Sequence, residues 1–253
     1  MTIFTLKLIA IITMLIDHIG AILLTSNPDL YLPARTIGRI AFPIFVFMLV
    51  EGFYHTSNIR KYLTRLGIFA LISEIPFDLA FYRGFYRADV LTDLKNSFTD
   101  PAMLDLFLRR LFEYQNVFFT LFLGLLAIYL MSMVENKYKK QFLLSNIFDA
   151  LITIGFCAAA FILKTDYDFK GILLIVAFYL FRGSKILIGI CLLIVTGTFF
   201  RDANNQLTIE IFAMLAMIPI ALYNGKKGKS IKYLFYAFYP AHLLILWLIR
   251  FLV

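Results

Sequence analysis

Asp17 and His18 stand side by side near the end of an apolar run, LKLIAIITMLIDHIG over residues 6–20. A carboxylate at the centre of a lipid-facing helix costs about 2.5–3.5 kcal/mol on insertion scales. Histidine is the side chain best matched to moving protons near neutral pH. The pair is therefore a candidate acid–base centre. The bland reading is an Asp17 at the membrane interface and a His18 that packs with one hydrogen bond. The chain has 3 histidines, His18, His55 and His242, each in or at the end of an apolar segment.

Two further clusters carry chemistry. In ARTIGRIAFPIFVFMLVEGFYHT, Arg35 and Arg39 share a face at one end of a helix and Glu51 and His55 share a face at the other. The arginines form either a lipid-phosphate anchor or a fixed positive field for an oxyanion or carboxylate. Pro43 admits a kink between the two ends. In FALISEIPFDLAFY, Glu74 and Asp78 stand one helical turn apart. Such carboxylates repel unless a cation or proton lies between them. Arg35 or Arg39 is expected to neutralise one of them, and a purely structural ion-pair knot is the competing reading. Asn116, opening the next apolar run, adds a neutral hydrogen-bonding group.

These residues sit in a chain of 253 residues that is 61% hydrophobic and 16% charged, with 28 Phe and 14 Tyr. Taking about 20 helical residues per crossing, nine apolar spans are expected, near 3–24, 37–56, 62–82, 116–134, 146–163, 167–182, 185–200, 207–223 and 232–252. The count could be eight, because the sixth and seventh are short. The expected fold is an all-α polytopic membrane bundle in a single domain over 1–253, with 83–115 a polar loop plus an amphipathic interfacial helix. The first run lacks a small-residue cleavage site and reads as a retained helix. No internal repeat is visible, which disfavours an inverted-repeat transporter.

The formal net charge of +8 would suggest nucleic acid in a soluble protein. Here the basic residues flank apolar spans, so topology and anionic lipid account for them and no nucleic-acid partner is expected. The 2 cysteines, Cys157 and Cys191, lie inside apolar runs without ligand-like spacing, so neither a disulfide nor a metal site is expected. Lys and Arg concentrate in the stretches 55–65, 135–141, 182–185 and 224–232. That bias predicts a cytoplasmic N-terminus and an outer C-terminus.

This topology gathers Asp17, His18, Arg35, Arg39, Glu74, Asp78 and Asn116 toward the outer half. It gathers Glu51, His55, Arg60, Lys61, the basic 226–232 loop, Tyr239 and His242 toward the inner face. An outer catalytic cluster with an inner phosphate-friendly one suits a transmembrane acyltransferase using cytoplasmic acyl-CoA. His18 would take a proton from the acceptor, with Asp17 or another carboxylate orienting the ring and an arginine stabilising thioester charge. Two alternatives use the same residues: a proton-coupled transporter with an intramembrane relay, and a non-enzymatic assembly factor held by ion pairs.

Five blocks, LKLIAIITMLIDHIG, RTIGRIAFPIFVFMLVEGFYHT, KYLTRLGIFALISEIPFDLAF, QNVFFTLFLGLL and KYLFYAFYPAHLLIL, together resemble the TraX family of polytopic inner-membrane proteins. The family is named for the conjugative-plasmid enzyme that N-acetylates F-type pilin. The resemblance implies an acetyl-CoA-dependent acetyltransferase acting on a peptide or pilin N-terminus or a small-molecule acceptor. It points to His18 as the catalytic residue, with Arg39, Glu74 and Asp78 in support.

Overall fold

The computed structural model describes residues 1–81, 101, 113–199, 208–229 and 232–252. The amphipathic helix expected within 83–115 therefore lies outside the described residues. What is described is helical apart from one isolated bridge between Gln115 and Thr165.

Helix α1 spans Ile3–Leu23 and begins where the Thr2 hydroxyl accepts from the Thr5 N–H. Helix α2, Pro28–Gly38, follows a turn of four residues and opens with proline at its first position, where a missing N–H costs nothing. Helix α3 spans Ala41–His55. The break between α2 and α3 falls at Arg39 and Ile40, whose N–H groups bond back to Thr36 and Ile37. Its cause is local: the ring of Pro43 excludes the carbonyl four residues earlier, that of Arg39. The kink expected near Pro43 is thus a break one turn upstream of it.

Helix α4 spans Ile59–Phe81, α5 Val117–Lys137, α6 Phe142–Ile162, α7 Asp168–Leu180 and α8 Lys185–Phe199. A 3-10 turn over Ile209–Ala216 leads into the short α9, Met217–Ala221, and α10 spans Lys232–Leu252. Asn116 caps α5 through its side-chain oxygen, which accepts from the Phe118 N–H at 3.0 Å.

Among the described residues, five segments are long and apolar enough to cross a membrane: α1, α2 with α3, α5, α6, and 235–252 of α10. The expected spans at 167–182 and 185–200 form α7 and α8, with 13 and 15 residues, short of the ~20 a perpendicular crossing needs. The distribution of polarity is that of a membrane bundle. Ile12, Leu71, Ile75, Phe142, Ile154 and Ile186 face outward, while Asp17, Arg39, Glu51, Glu74, Asp78 and His242 are buried. Helix α6 lies at the edge of the bundle, with Phe142, Leu143, Leu151, Ile154 and Phe161 exposed while Ile152, Phe156 and Cys157 pack against the core.

Candidate active site

The four-residue turn between α1 and α2 folds the two helices back on each other, and this decides the partners of Asp17. Its two carboxylate oxygens accept from Arg35 Nη1 at 2.6 Å and Arg39 Nη2 at 2.7 Å. Arg39 Nη1 reaches Glu210 Oε1 at 2.5 Å. Arg39 Nε donates to the Arg35 carbonyl at 3.2 Å, the acceptor that the break before α3 leaves without its helical N–H. Two arginines and two carboxylates form a balanced chain from α1 through α2 to the 3-10 turn. Burial of an ion pair this complete is tolerated because every charge meets an opposite one.

Small residues let the helices approach closely enough. A Cβ on Gly20 would come within 2.7 Å of the Ala34 Cβ, and one on Gly38 would overlap the carboxylate and Cβ of Asp17. Close helix approach through such residues is a common membrane solution. Gly38→Ala is expected to cost about 1–3 kcal/mol, the range for overpacking a filled site. Thermal unfolding in detergent reads this directly. Gly155→Ala is the control, because its surroundings are open within 4 Å; it is expected to hold or slightly raise stability.

Asp166 lies beside this chain in the turn between α6 and α7. Burial pushes its carboxyl up to about 6, against the pull of the Arg39 guanidinium. Neighbouring Tyr167 adopts a left-handed backbone, φ 65, and stacks its ring on Phe42 with centroids 3.6 Å apart.

His18 points away from Asp17, to α10. Its Nδ1 lies 2.7 Å from His242 Nε2, and the ring planes are 5° from parallel with centroids 4.9 Å apart. His242 Nδ1 in turn lies 2.7 Å from the Phe238 carbonyl oxygen. Phe81 and Tyr239 stand edge-on to the His18 ring. Neither Asp17 nor another carboxylate orients the imidazole among the described residues; a second histidine does.

Two more expectations are corrected. Arg35 and Arg39 do not neutralise Glu74 or Asp78, because Asp17 and Glu210 occupy them. Glu74 Oε2 instead accepts from the backbone N–H and the side-chain amide of Asn116, and Asn116 also donates to the Ala70 carbonyl at 2.8 Å. Glu74 Oε1 and Asp78 Oδ2 are buried without a hydrogen-bond partner among the described residues. His242 does not join Glu51 and His55; it is the partner of His18. Tyr239, assigned to the same inner set, packs against both histidines.

At the other end of the bundle, Glu51 Oε1 accepts from Arg182 Nε at 2.6 Å, and His55 Nδ1 lies 2.8 Å from the Glu51 carbonyl. Glu51, His55 and Tyr239 line a cavity of about 350 Å³. Arg60 and Lys61 do not line it; both are exposed on the first turn of α4. The basic residues along it are Lys7, Arg65 and Lys227. Of these, Lys7 stands alone in the apolar run of α1, and Arg65 reads from the sequence only as part of the basic 55–65 stretch that marks topology. The mouth is held in place by the start of the chain, where the Ile3 and Phe4 N–H groups donate to the Lys226 and Lys227 carbonyls at 2.9 and 3.1 Å. Met14, Met48, Leu66 and Phe118 also line the cavity, as does Tyr239, whose ring stands edge-on to His18.

The molecule is thus an α-helical bundle with the polarity of a membrane protein, holding a cavity lined by Lys7, Arg65 and Lys227 and by Tyr239, whose ring stands edge-on to buried His18. The chain belongs to the TraX family: the family model described as TraX protein matches residues 3–250. It is 30% identical to the "Probable fimbrial assembly protein FimC" of Dichelobacter nodosus, over 96% of this chain and 93% of that protein. An uncharacterized protein of Rickettsia prowazekii (strain Madrid E) is 36% identical over 35% of this chain and 32% of its own. No solved structure matches.

Proposed function

We propose that this chain is a bacterial inner-membrane acyltransferase that moves an acetyl group from cytoplasmic acetyl-CoA to an amine or hydroxyl acceptor at the outer face. The observation that carries the reading is the cavity running from Lys7, Arg65 and Lys227 to the ring beside His18. Its volume of about 350 Å³ stands at the lower end of ligand pockets, roughly 300–1,000 Å³. That suits the acyl group and part of its narrow carrier arm, with the polyanionic nucleotide left among the basic residues at the mouth. The N-terminus then lies on the cytoplasmic side together with the 224–229 loop, and the C-terminal end of α10 on the other.

In this reading His18 removes the acceptor's proton as the acceptor nitrogen or oxygen bonds to the thioester carbon. The carbon–sulfur bond breaks, and the proton leaves with the thiolate. Glu74 and Asp78, whose Oε1 and Oδ2 have no partner among the described residues, are the groups suited to accept from an N–H of a neutral acceptor amine, leaving its lone pair free to attack. The arginine assigned to the thioester oxygen is not part of this scheme, since both candidates are tied to carboxylates. A terminal amine of a pilin-like peptide is the favoured acceptor, in keeping with a relative named for fimbrial assembly and with the TraX family.

The test is to incubate the purified protein with acetyl-labelled CoA and a peptide amine and to follow transfer or hydrolysis. Arg65→Gln with Lys227→Gln is expected to raise KM for acetyl-CoA about tenfold and leave kcat nearly unchanged, the pattern of lost ground-state binding. The shift is expected to shrink in high salt. An unchanged KM overturns the donor site. Solute uptake into proteoliposomes without any acyl donor, and no acyl turnover, overturns the enzyme reading in favour of a transporter.

A further inference from the structure

The hydrogen bonds around the histidine pair run in one direction only. A carbonyl oxygen accepts and never donates, so the contact of 2.7 Å with Phe238 requires a proton on His242 Nδ1. In the neutral ring His242 Nε2 is then bare and must accept. Its partner at 2.7 Å, His18 Nδ1, must therefore carry a proton. By elimination the lone pair of His18 lies on Nε2, which meets no hydrogen-bond partner among the described residues.

From this geometry we infer that His242 is a positioning residue that sets the tautomer of His18, presenting Nε2 as the atom that takes the acceptor's proton. The inference rests on the proposed acyl transfer for its role, although the tautomer itself does not. It assigns a function to a histidine that touches neither the acceptor nor the donor. A proton arriving at His18 Nε2 makes that ring an imidazolium, whose Nδ1–H already points at His242 Nε2. Passing that second proton on leaves His18 neutral with its proton on Nε2 and places the charge on His242. There the Nδ1–H remains anchored on the backbone, so the bond with Phe238 survives the transfer. Two rings share one charge, and no carboxylate is needed to stabilise it.

The arrangement also accounts for the packing. Phe81 and Tyr239 hold the His18 ring edge-on, and Phe238 stacks on His242 at 4.8 Å. A 180° flip of either ring would put a carbon where its Nδ1 stands and break the hydrogen bond made there.

The experiment is 15N NMR of the full-length protein in detergent with labelled histidine, where bare and protonated ring nitrogens resonate far apart. With 3 histidines in the chain, single substitutions assign every signal. The expected spectrum shows His18 and His242 both protonated at Nδ1 and bare at Nε2, the reverse of the form neutral imidazole favours in water. His242→Gln is expected to keep that state of His18, because the amide oxygen can accept in place of Nε2, and to retain most acyl transfer. His242→Leu is expected to release the tautomer and lower kcat by about 10²-fold. That is less than the ~10⁴ lost where a buried carboxylate controls the tautomer. A His18 bearing its proton on Nε2 in the parent overturns the inference. So does an equal loss of kcat in the Gln and Leu variants with the His18 signals unmoved. If the Leu variant does not fold, the parent spectrum and the Gln variant still decide. The predicted spectrum in a protein that transfers no acyl group would leave the tautomer standing and remove the proposed function alone.

Discussion

Substituting His18 is expected to lower acyl transfer by about 10²–10⁴-fold, the usual contribution of a positioned general base. The informative replacement is asparagine. Its amide nitrogen falls where Nδ1 was and can still donate to His242 Nε2, so the link between α1 and α10 survives. What disappears is the lone pair on Nε2. His18→Asn is thus expected to unfold at nearly the parent temperature while kcat collapses, whereas His18→Ala loses the bond as well and unfolds earlier. Transfer assays and thermal unfolding of both variants separate the chemistry from the packing. An Asn variant as active as the parent would end the assignment of His18 as base.

The largest effect on stability is expected from Asp17→Ala. The change leaves Arg35 without its paired carboxylate, and Arg39 with Glu210 and the nearby Asp166, in a site where Arg39 and Asp17 are each 9% exposed at the side chain. Removing one partner of a buried pair costs about 3–5 kcal/mol, mainly because the remaining charge is stranded. Arg35 is 22% exposed and can turn partly toward water or lipid headgroups, so the lower half of that range is expected. Asp17→Asn keeps two acceptor lone pairs on one oxygen and should cost less. Denaturation in mild detergent measures both. An Asp17→Ala protein as stable as the parent would mean that the arginines find other partners. Because Asp17 faces α2 and His18 faces α10, Asp17→Asn is also expected to change kcat far less than His18→Asn.

The sequence made His18 conspicuous because a lone imidazole deep in an apolar run has few cheap explanations. It was less informative about partners. Arg35 and Arg39 were matched to Glu74 and Asp78 by depth alone, yet the short turn after α1 makes α1 and α2 antiparallel neighbours and brings Asp17 first. His242 was set at the inner face with its span's first turn. It lies ten residues past Lys232, and at 1.5 Å per residue that is about 15 Å along α10, far enough from its start to meet His18 of α1. Glu210 lay inside an apolar stretch and carried a visible signal, a single acid among Ile, Phe, Met and Leu, that depth and charge counting passed over. The basic lining of the cavity was the hardest part to read. Lys7 and Arg65 are separated by most of two spans, and only the packing of α1, α4 and α10 brings them to one opening.

The chain's own order of synthesis treats the two adjacent residues of α1 very differently. Asp17 meets Arg35 only 18 residues later, so its charge is neutralised as soon as the first helical hairpin has entered the membrane. His18 waits 224 residues for His242. The ring meets Phe81 once α4 has packed, but its hydrogen-bonding partner arrives only with α10. A chain cut before α10 would keep the Asp17–Arg35 pair while the imidazole one residue further on lacked the nitrogen that fixes its proton.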